Sequence, residues 1–347
     1  GPQPSGAIYR ICMPATWNGD LLVWAHGYVD PQEPVGIPEG QLTLPDGTSI
    51  IDIATSLNYA FATTSYRDNG LVVPLAVDDI AELVGIFEAA HGPAQNTFLA
   101  GASEGGLITT LALEQHRDIF DGGIGVCGPI GDFGFQVNHF GDFRVVFDYY
   151  FPGVIPSNGV MIPQEVIDNW DAVYVPAIKA AIAADLYATS QVLRVTGVPF
   201  DVTDPSTIEE TFLGLLWYNT HATNDGIAKL GGNPFGNGER WYTGSDDDLA
   251  LNLGVQRFNA DPAALASIAA EYQTTGVLDS PLITMHTTGD PIVPALHGDI
   301  YTLKALIGGS FLKHLHVPIE RYGHCSFTPV EAVFAFLLMG LLVVING

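Results

Sequence analysis

Apolar and polar positions switch between two periods along the first third of the chain. Short apolar runs over Ala7 to Met13, Leu21 to Ala25, Ala60 to Ser65, Thr97 to Ala100 and Gly123 to Cys127 predict strands. Between them, Ile50 to Leu57 predicts a short helix. Val77 to Ala90 has apolar residues at Ile80, Leu83, Val84, Ile86 and Phe87, the spacing of an amphipathic helix, and Gly105 to His116 predicts another. Strand and helix in alternation predict an α/β fold: a mostly parallel central sheet flanked by helices on both faces.

The alternation stops near Ile130. Up to Gly276 the chain is rich in aromatics, Gly and Pro, with Phe133, Phe135, Phe140, Phe143, Phe147, Tyr149, Tyr150 and Phe151 close together. Helical patches are predicted over Ile162 to Leu186 and Pro262 to Tyr272. Strands resume at Pro281 to His286 and Leu315 to Tyr322. A stretch of this length is too long for a loop. The expected division is a core of residues 1–129 and 278–347 with a large, mainly helical cap of residues 130–277. The cap is inserted after the strand that follows the Gly105 to His116 helix. The longest apolar run, Ala332 to Ile345, falls short of the ~20 residues of a membrane span and predicts a buried C-terminal helix or helix plus strand.

Composition narrows the function. A hydrophobic share of 47% is enough for a large core and excludes a disordered chain. Thirty-eight acidic against 12 basic residues give a net charge of −26, which repels nucleic-acid phosphates and anionic membrane surfaces and leaves neutral small molecules as the fitting partners. Cys12, Cys127 and Cys325 allow one disulfide and one leftover thiol. The sequence opens Gly-Pro-Gln-Pro-Ser-Gly, with no initiator Met and no signal-peptide pattern. With the charge and the scarcity of Lys, this leads to an expected secreted or periplasmic location. Oligomeric state is not legible.

The most informative segment is Phe98-Leu99-Ala100-Gly101-Ala102-Ser103-Glu104-Gly105-Gly106-Leu107. It is a G-x-S-x-G between a predicted strand and a predicted helix. In that context the serine sits on a sharp turn with its hydroxyl exposed above the sheet, and side chains at Gly101 and Gly105 would collide with neighbouring backbone. The alternative for such a serine is a helix cap in a Gly-rich turn. The helix aims its positive N-terminal end at the site, where an oxyanion would be stabilised.

A serine needs a base, and the base needs an orienting acid. His324 follows one predicted strand, in Tyr322-Gly323-His324-Cys325-Ser326, and Asp290 follows another, in Gly289-Asp290-Pro291. Both stand beyond strand C-termini, where α/β sheets place their sites. Asp299, inside a predicted helix start, is the rival acid. The expected oxyanion donors are the backbone N–H groups of Glu104 and, from the loop His26-Gly27-Tyr28, of Tyr28. His314 and His316 alternate on a strand, but no Cys or carboxylate completes a metal set. His286 reads as a satisfied core histidine. Asp246-Asp247-Asp248 lacks EF-hand spacing and reads as a helix-capping turn. No phosphate-cradling glycine loop is present, so no metal or cofactor is expected.

His26-Gly27-Tyr28, Gly101-Ala102-Ser103-Glu104-Gly105-Gly106, Gly289-Asp290 and Gly323-His324, in that order, resemble the α/β-hydrolase superfamily over residues 7–129 and 278–347. The resemblance implies an eight-stranded sheet, a Ser-His-Asp triad and no cofactor. The Gly-x-Ser-x-Gly-Gly pattern and the short Asp-to-His interval are also similar to prolyl-oligopeptidase-like hydrolases. His324-Cys325 resembles the tannase and feruloyl-esterase family, in which a Cys before the Ser bridges to the Cys after the His. Ala102 stands in that place here, so that bridge cannot form, and Cys325 is free or paired with Cys12 or Cys127.

The expected function is a carboxylesterase for neutral esters with apolar or aromatic acyl groups, the aromatic start of the insertion lining the pocket or forming the cap's own core. A lipase or polyester hydrolase uses the same chemistry. A serine peptidase or amidase is the alternative, with Glu209-Glu210 capturing a substrate amine unless that pair is a solvated helix start. A non-enzymatic hydrolase-fold binding protein would normally have lost a triad member.

Overall fold

The computed structural model describes residues 1–346. It contains two compact units, Gly1–Asp132 with the segment from Glu271 onward, and Phe133–Ala270.

The first unit is built on a seven-stranded sheet of β1 (Tyr9–Cys12), β2 (Leu21–Ala25), β3 (Ala60–Thr64), β4 (Thr97–Ala102), β5 (Gly122–Val126), β6 (Leu282–Gly289) and β7 (His314–Tyr322), in the order β1-β3-β2-β4-β5-β6-β7. Only the β1–β3 pair is antiparallel. Every residue of β2 and β3 is buried, as in strands covered on both faces. The glycines of β5 show the two layers directly. A side chain on Gly122 would run into Met339, and one on Gly123 into Leu113. These belong to α12 (Pro329–Asn346) and α3 (Glu104–Gln115), on opposite faces. With α12, α1 (Ile50–Ser56) covers one face; with α3, α2 (Val73–His91) covers the other; α11 (Leu296–Ile307) packs against β6 and β7.

Among the described residues an eighth strand is not formed. Residues 1–8 make only an isolated Pro2–Ile8 bridge, turned by Gly6 at φ 98°. Pro2 and Pro4 lack the N–H groups a continuous ladder requires.

The apolar C-terminal run is a single helix, and only one of its faces is buried. Ala335 and Met339 pack into the core cluster with Phe98, Ile124 and Met285, whereas Val330, Phe334, Leu337, Leu341 and Val344 are exposed. Among the described residues, no helix is long and apolar enough to cross a membrane.

The second unit is helical: α4 (Phe133–Tyr150), α5 (Gln164–Asp168), α6 (Val175–Ala184), α7 (Leu186–Thr196), α8 (Ser206–Leu230), α9 (Asp248–Gly254) and α10 (Pro262–Ser267). Phe143, Phe147 and Phe151 form its core with Phe212, so this part of the aromatic run packs internally. Arg144 is fully buried and compensated by Asp148, Asn219 and the Ser157 hydroxyl and carbonyl.

The seams lie inside the expected 130 and 277. The Thr274 hydroxyl donates to the Ile130 carbonyl at 2.7 Å. The buried carboxylate of Glu114, on α3, accepts from Thr275 N–H, Gly276 N–H and the Tyr301 hydroxyl. These bonds hold the outgoing and returning strands of chain in the first unit.

Candidate active site

Ser103 stands between β4 and α3 with φ 59° and ψ −124°. This left-handed backbone is strained for a residue with a side chain and persists where surrounding structure enforces it. Here Ser103 N–H donates to Val126 C=O at 2.9 Å, and Ser103 C=O accepts from Gly106 N–H at 2.9 Å. A Cβ on Gly101 would strike the Gly105 carbonyl, and one on Gly105 the Ala25 carbonyl. The glycines therefore let β4, α3 and the end of β2 close tightly around the serine.

Asp290 follows β6 directly and is almost wholly buried. One of its carboxylate oxygens accepts from Ile292 N–H at 2.9 Å and Val293 N–H at 3.0 Å. The other accepts from His324 Nδ1–H at 2.7 Å. A carboxylate can only accept, so Nδ1 carries the proton and Nε2 of a neutral ring is left as acceptor. Nε2 lies 2.9 Å from Ser103 Oγ. Burial alone would raise the Asp290 carboxyl. The facing His324 and His286 imidazoles outweigh it and hold the group below the usual carboxylate range.

The loops bearing Asp290 and His324 are laced together. Gly323 N–H donates to Gly289 C=O at 3.1 Å, and the Thr287 hydroxyl donates to Gly323 C=O at 2.6 Å. Beyond the histidine, Thr328 and Glu331 form a reciprocal capping box at the start of α12. Arg321 grips Glu331 through both terminal guanidinium nitrogens, Nη1 and Nη2.

Cys325 is bridged to Cys127, the residue after β5, with Cα atoms 5.4 Å apart. Cys12 is the leftover thiol. A sulfur bridge thus reaches the residue after the histidine although Ala102 precedes the serine. Its other end comes from the strand beside the serine's own, which sequence spacing does not reveal. Cys325 Sγ lies 3.5 Å from His324 Nε2, so the bridge packs on the imidazole. Cys127, His324 and Cys325 are also the grouped potential metal ligands among the described residues. Their two sulfurs are bonded to each other and supply no thiolate.

The loop after β2 comes up against the serine: a Cβ on Gly27 would lie 3.1 Å from both Ala102 O and Ser103 Cβ. His26 is buried and stacks on Tyr66, with centroids 4.0 Å apart. The Tyr66 hydroxyl donates to His26 C=O at 3.0 Å, and His26 Nδ1 donates to Gly27 C=O at 2.7 Å. Burial lowers the His26 imidazole to about 4 and keeps it neutral. Tyr28 follows in this loop, and Glu104 opens α3 with its carboxylate buried and accepting from Val72 N–H at 3.2 Å.

Of the remaining candidates, His286 borders Asp290 and the others stand elsewhere. Asp299 is exposed on α11. His286 donates from Nε2 to Val293 C=O at 2.8 Å and lies 3.4 Å from Asp290. His314 and His316 share the Thr284 hydroxyl, each at 2.9 Å. Glu209 pairs with Lys179 in the first turn of α8 and Glu210 is exposed, which is a solvated helix start. Asp247 caps α9 through Ala250 N–H, and Asp246 pairs with Arg194.

No protein-family model matches the sequence, and no curated protein matches it. Solved structures do. Feruloyl esterase B from Aspergillus oryzae aligns over 97% of this chain and 77% of its own, with 14% identity and a TM-score of 0.50. Proline iminopeptidase from Mycobacterium smegmatis aligns over 100% and 99%, with 11% identity and a TM-score of 0.49. Acylaminoacyl peptidase from Pyrococcus horikoshii aligns over 96% of this chain at 14% identity and a TM-score of 0.47; this chain spans 38% of its length. The chain has the α/β-hydrolase fold, with a mostly parallel seven-stranded sheet flanked by helices.

Proposed function

We propose that this protein is a serine hydrolase that cleaves carboxylic esters. The observation that carries the reading is the unbroken hydrogen-bonded line from Ser103 Oγ through His324 to the buried Asp290. Ser103 attacks the ester carbonyl as His324 Nε2 takes its proton. Asp290 holds the imidazole tautomer and balances its positive charge. The tetrahedral oxyanion is stabilised by the backbone N–H groups of Tyr28 and Glu104, with the N-terminal end of α3 adding its dipole. His324 returns the proton to the leaving alcohol. Water, deprotonated by the same imidazole, then attacks the acyl-enzyme and frees Ser103.

A net charge of −26 disfavours anionic substrates, so the proposed substrate is a neutral ester. Ester cleavage is also the activity named for feruloyl esterase B, which shares the fold. The peptidase reading loses its amine-capture pair, since Glu209 is taken by Lys179 and Glu210 faces solvent. The Cys127–Cys325 bridge supports a secreted or periplasmic location, because disulfides persist in oxidising compartments.

The test is turnover of p-nitrophenyl esters of increasing acyl length, each beside its anilide, by wild type and Ser103→Ala. The proposal predicts ester turnover that the substitution lowers by roughly 10⁴-fold or more, and an acyl-length optimum that sizes the pocket. Faster anilide than ester turnover would replace the esterase with an amidase. Equal ester turnover by both proteins would remove Ser103 from the mechanism.

A further inference from the structure

The expected oxyanion donor of Tyr28 belongs to a loop, and loops do not hold an N–H in place unless something else does. What holds this one is a side chain from a distant turn. Gln41 sits in a single 3-10 turn, Glu39–Leu42, where Leu42 is buried in the core cluster beside Leu22 and Trp24. Glu39 at the turn's other end is clasped by Arg10, with Arg10 Nη1 donating at 2.9 Å. The turn is therefore anchored on both sides of Gln41.

From that anchored position the Gln41 amide makes two bonds to the loop. Its Oε1 accepts from Gly27 N–H at 2.7 Å, and its Nε2 donates to Tyr28 C=O at 3.0 Å. These two groups flank one peptide unit, the unit whose N–H is that of Tyr28. The carbonyl of the same unit, Gly27 C=O, accepts from His26 Nδ1. In a trans peptide the N–H points opposite the C=O, so fixing the carbonyl and both neighbouring units fixes the direction of the Tyr28 N–H. The planar amide, holding one donor and one acceptor at once, cannot do this from a different rotation. Neither a carboxylate, which only accepts, nor an ammonium, which only donates, can replace it.

We propose that Gln41 is a positioning residue for the oxyanion site: its side-chain amide clamps the Gly27–Tyr28 peptide so that the Tyr28 N–H is preorganised for the tetrahedral intermediate. The proposal rests on the serine-hydrolase reading above. Gln41 makes its bonds to the loop and acts only through it. Its effect therefore falls on the transition state, where the oxyanion forms, and not on ground-state binding.

The experiment compares wild type, Gln41→Ala and Gln41→Glu on the best ester of the panel. It measures kcat, KM, Tm and the inhibition constant of a trifluoromethyl ketone carrying the same acyl group. Removing an oxyanion donor outright costs roughly 10²–10³-fold in kcat; loosening one should cost about 10- to 100-fold. The clamp predicts that loss in both variants, KM within about twofold, Tm nearly unchanged, and an inhibition constant that worsens in step with kcat/KM. Gln41→Glu keeps the acceptor for Gly27 N–H and replaces the donor to Tyr28 C=O, so a clamp that needs both bonds leaves it impaired. Wild-type kcat and ketone binding in both variants overturn the proposal. A rise confined to KM, or activity lost only in proportion to a fallen Tm, also overturns it in favour of plain packing. A wild type that hydrolyses no ester and takes no fluorophosphonate label overturns the serine-hydrolase reading, and this proposal with it.

Discussion

Asp290 does more than orient one imidazole. One of its oxygens is fixed by two backbone N–H groups and the other faces His324, with His286 3.4 Å away. In Asp290→Asn the oxygen would keep the backbone bonds, and the amide NH₂ would face His324. The ring would then carry its proton on Nε2, toward Ser103, and could not act as base. We expect kcat to fall by roughly 10³- to 10⁴-fold at neutral pH with KM little changed; a loss below about tenfold would show that the acid lies elsewhere. At this scale, what the sequence reveals depends on how local the constraint is. Ser103 is legible because Gly101 and Gly105 are demanded by backbone contacts a few residues away. Asp290 and His324 are legible because each follows a recognisable strand. Cys127 and Gln41 are not, because a disulfide partner and a clamping amide are chosen by distance in space, and neither follows a spacing rule.

The elements explain why three separated segments meet at one point. β4, β6 and β7 are parallel, so Ser103, Asp290 and His324 emerge at the same sheet edge. The disulfide adds a covalent tie between the end of β5 and the loop carrying His324, closing 198 residues of chain. A loop that long predicts a substantial stability contribution, roughly 2–5 kcal/mol. Reduction, or the Cys127→Ala/Cys325→Ala pair, should lower stability by that amount and kcat by roughly 10- to 100-fold, since a small misplacement of His324, the proposed base, is costly. Unchanged kcat after complete reduction, verified by thiol counting, would mean that the hydrogen bonds at Gly323 and the Thr328–Glu331 box suffice. The strands of the first unit are readable because they are short apolar runs, and α2 because its apolar positions recur at helical spacing. α4 and α8 are not. Arg144, Asn219, Thr220 and His221 are buried in them, which breaks the apolar stripe that marks a helix. α12 misleads in the other direction, being apolar all round yet packed on one face only.

At the scale of the whole molecule, buried histidines make stability depend on pH. Burial lowers His26 and His314 to about 4, from an ordinary value of 6.5. Unfolding releases them to that ordinary value, so below about pH 6.5 the unfolded chain binds more protons than the folded one. Their contribution is complete above that pH and is lost as pH falls toward 4; at about 1.4 kcal/mol per unit it amounts to roughly 3 kcal/mol for each histidine. Asp290, held below the carboxylate range, acts in the same direction at lower pH. Thermal unfolding should therefore show Tm falling between pH 7 and pH 4, and His314→Gln, which has no titrating group, should flatten that limb. A Tm independent of pH across this window would contradict the burial of neutral imidazoles. The central claim, that the Ser103–His324–Asp290 line makes Ser103 a nucleophile, is tested most directly by fluorophosphonate labelling read by intact mass and peptide mapping. The account predicts a single adduct on Ser103, absent from Ser103→Ala and strongly slowed in His324→Ala. A folded wild type that takes no label, or takes it at another residue, would contradict it.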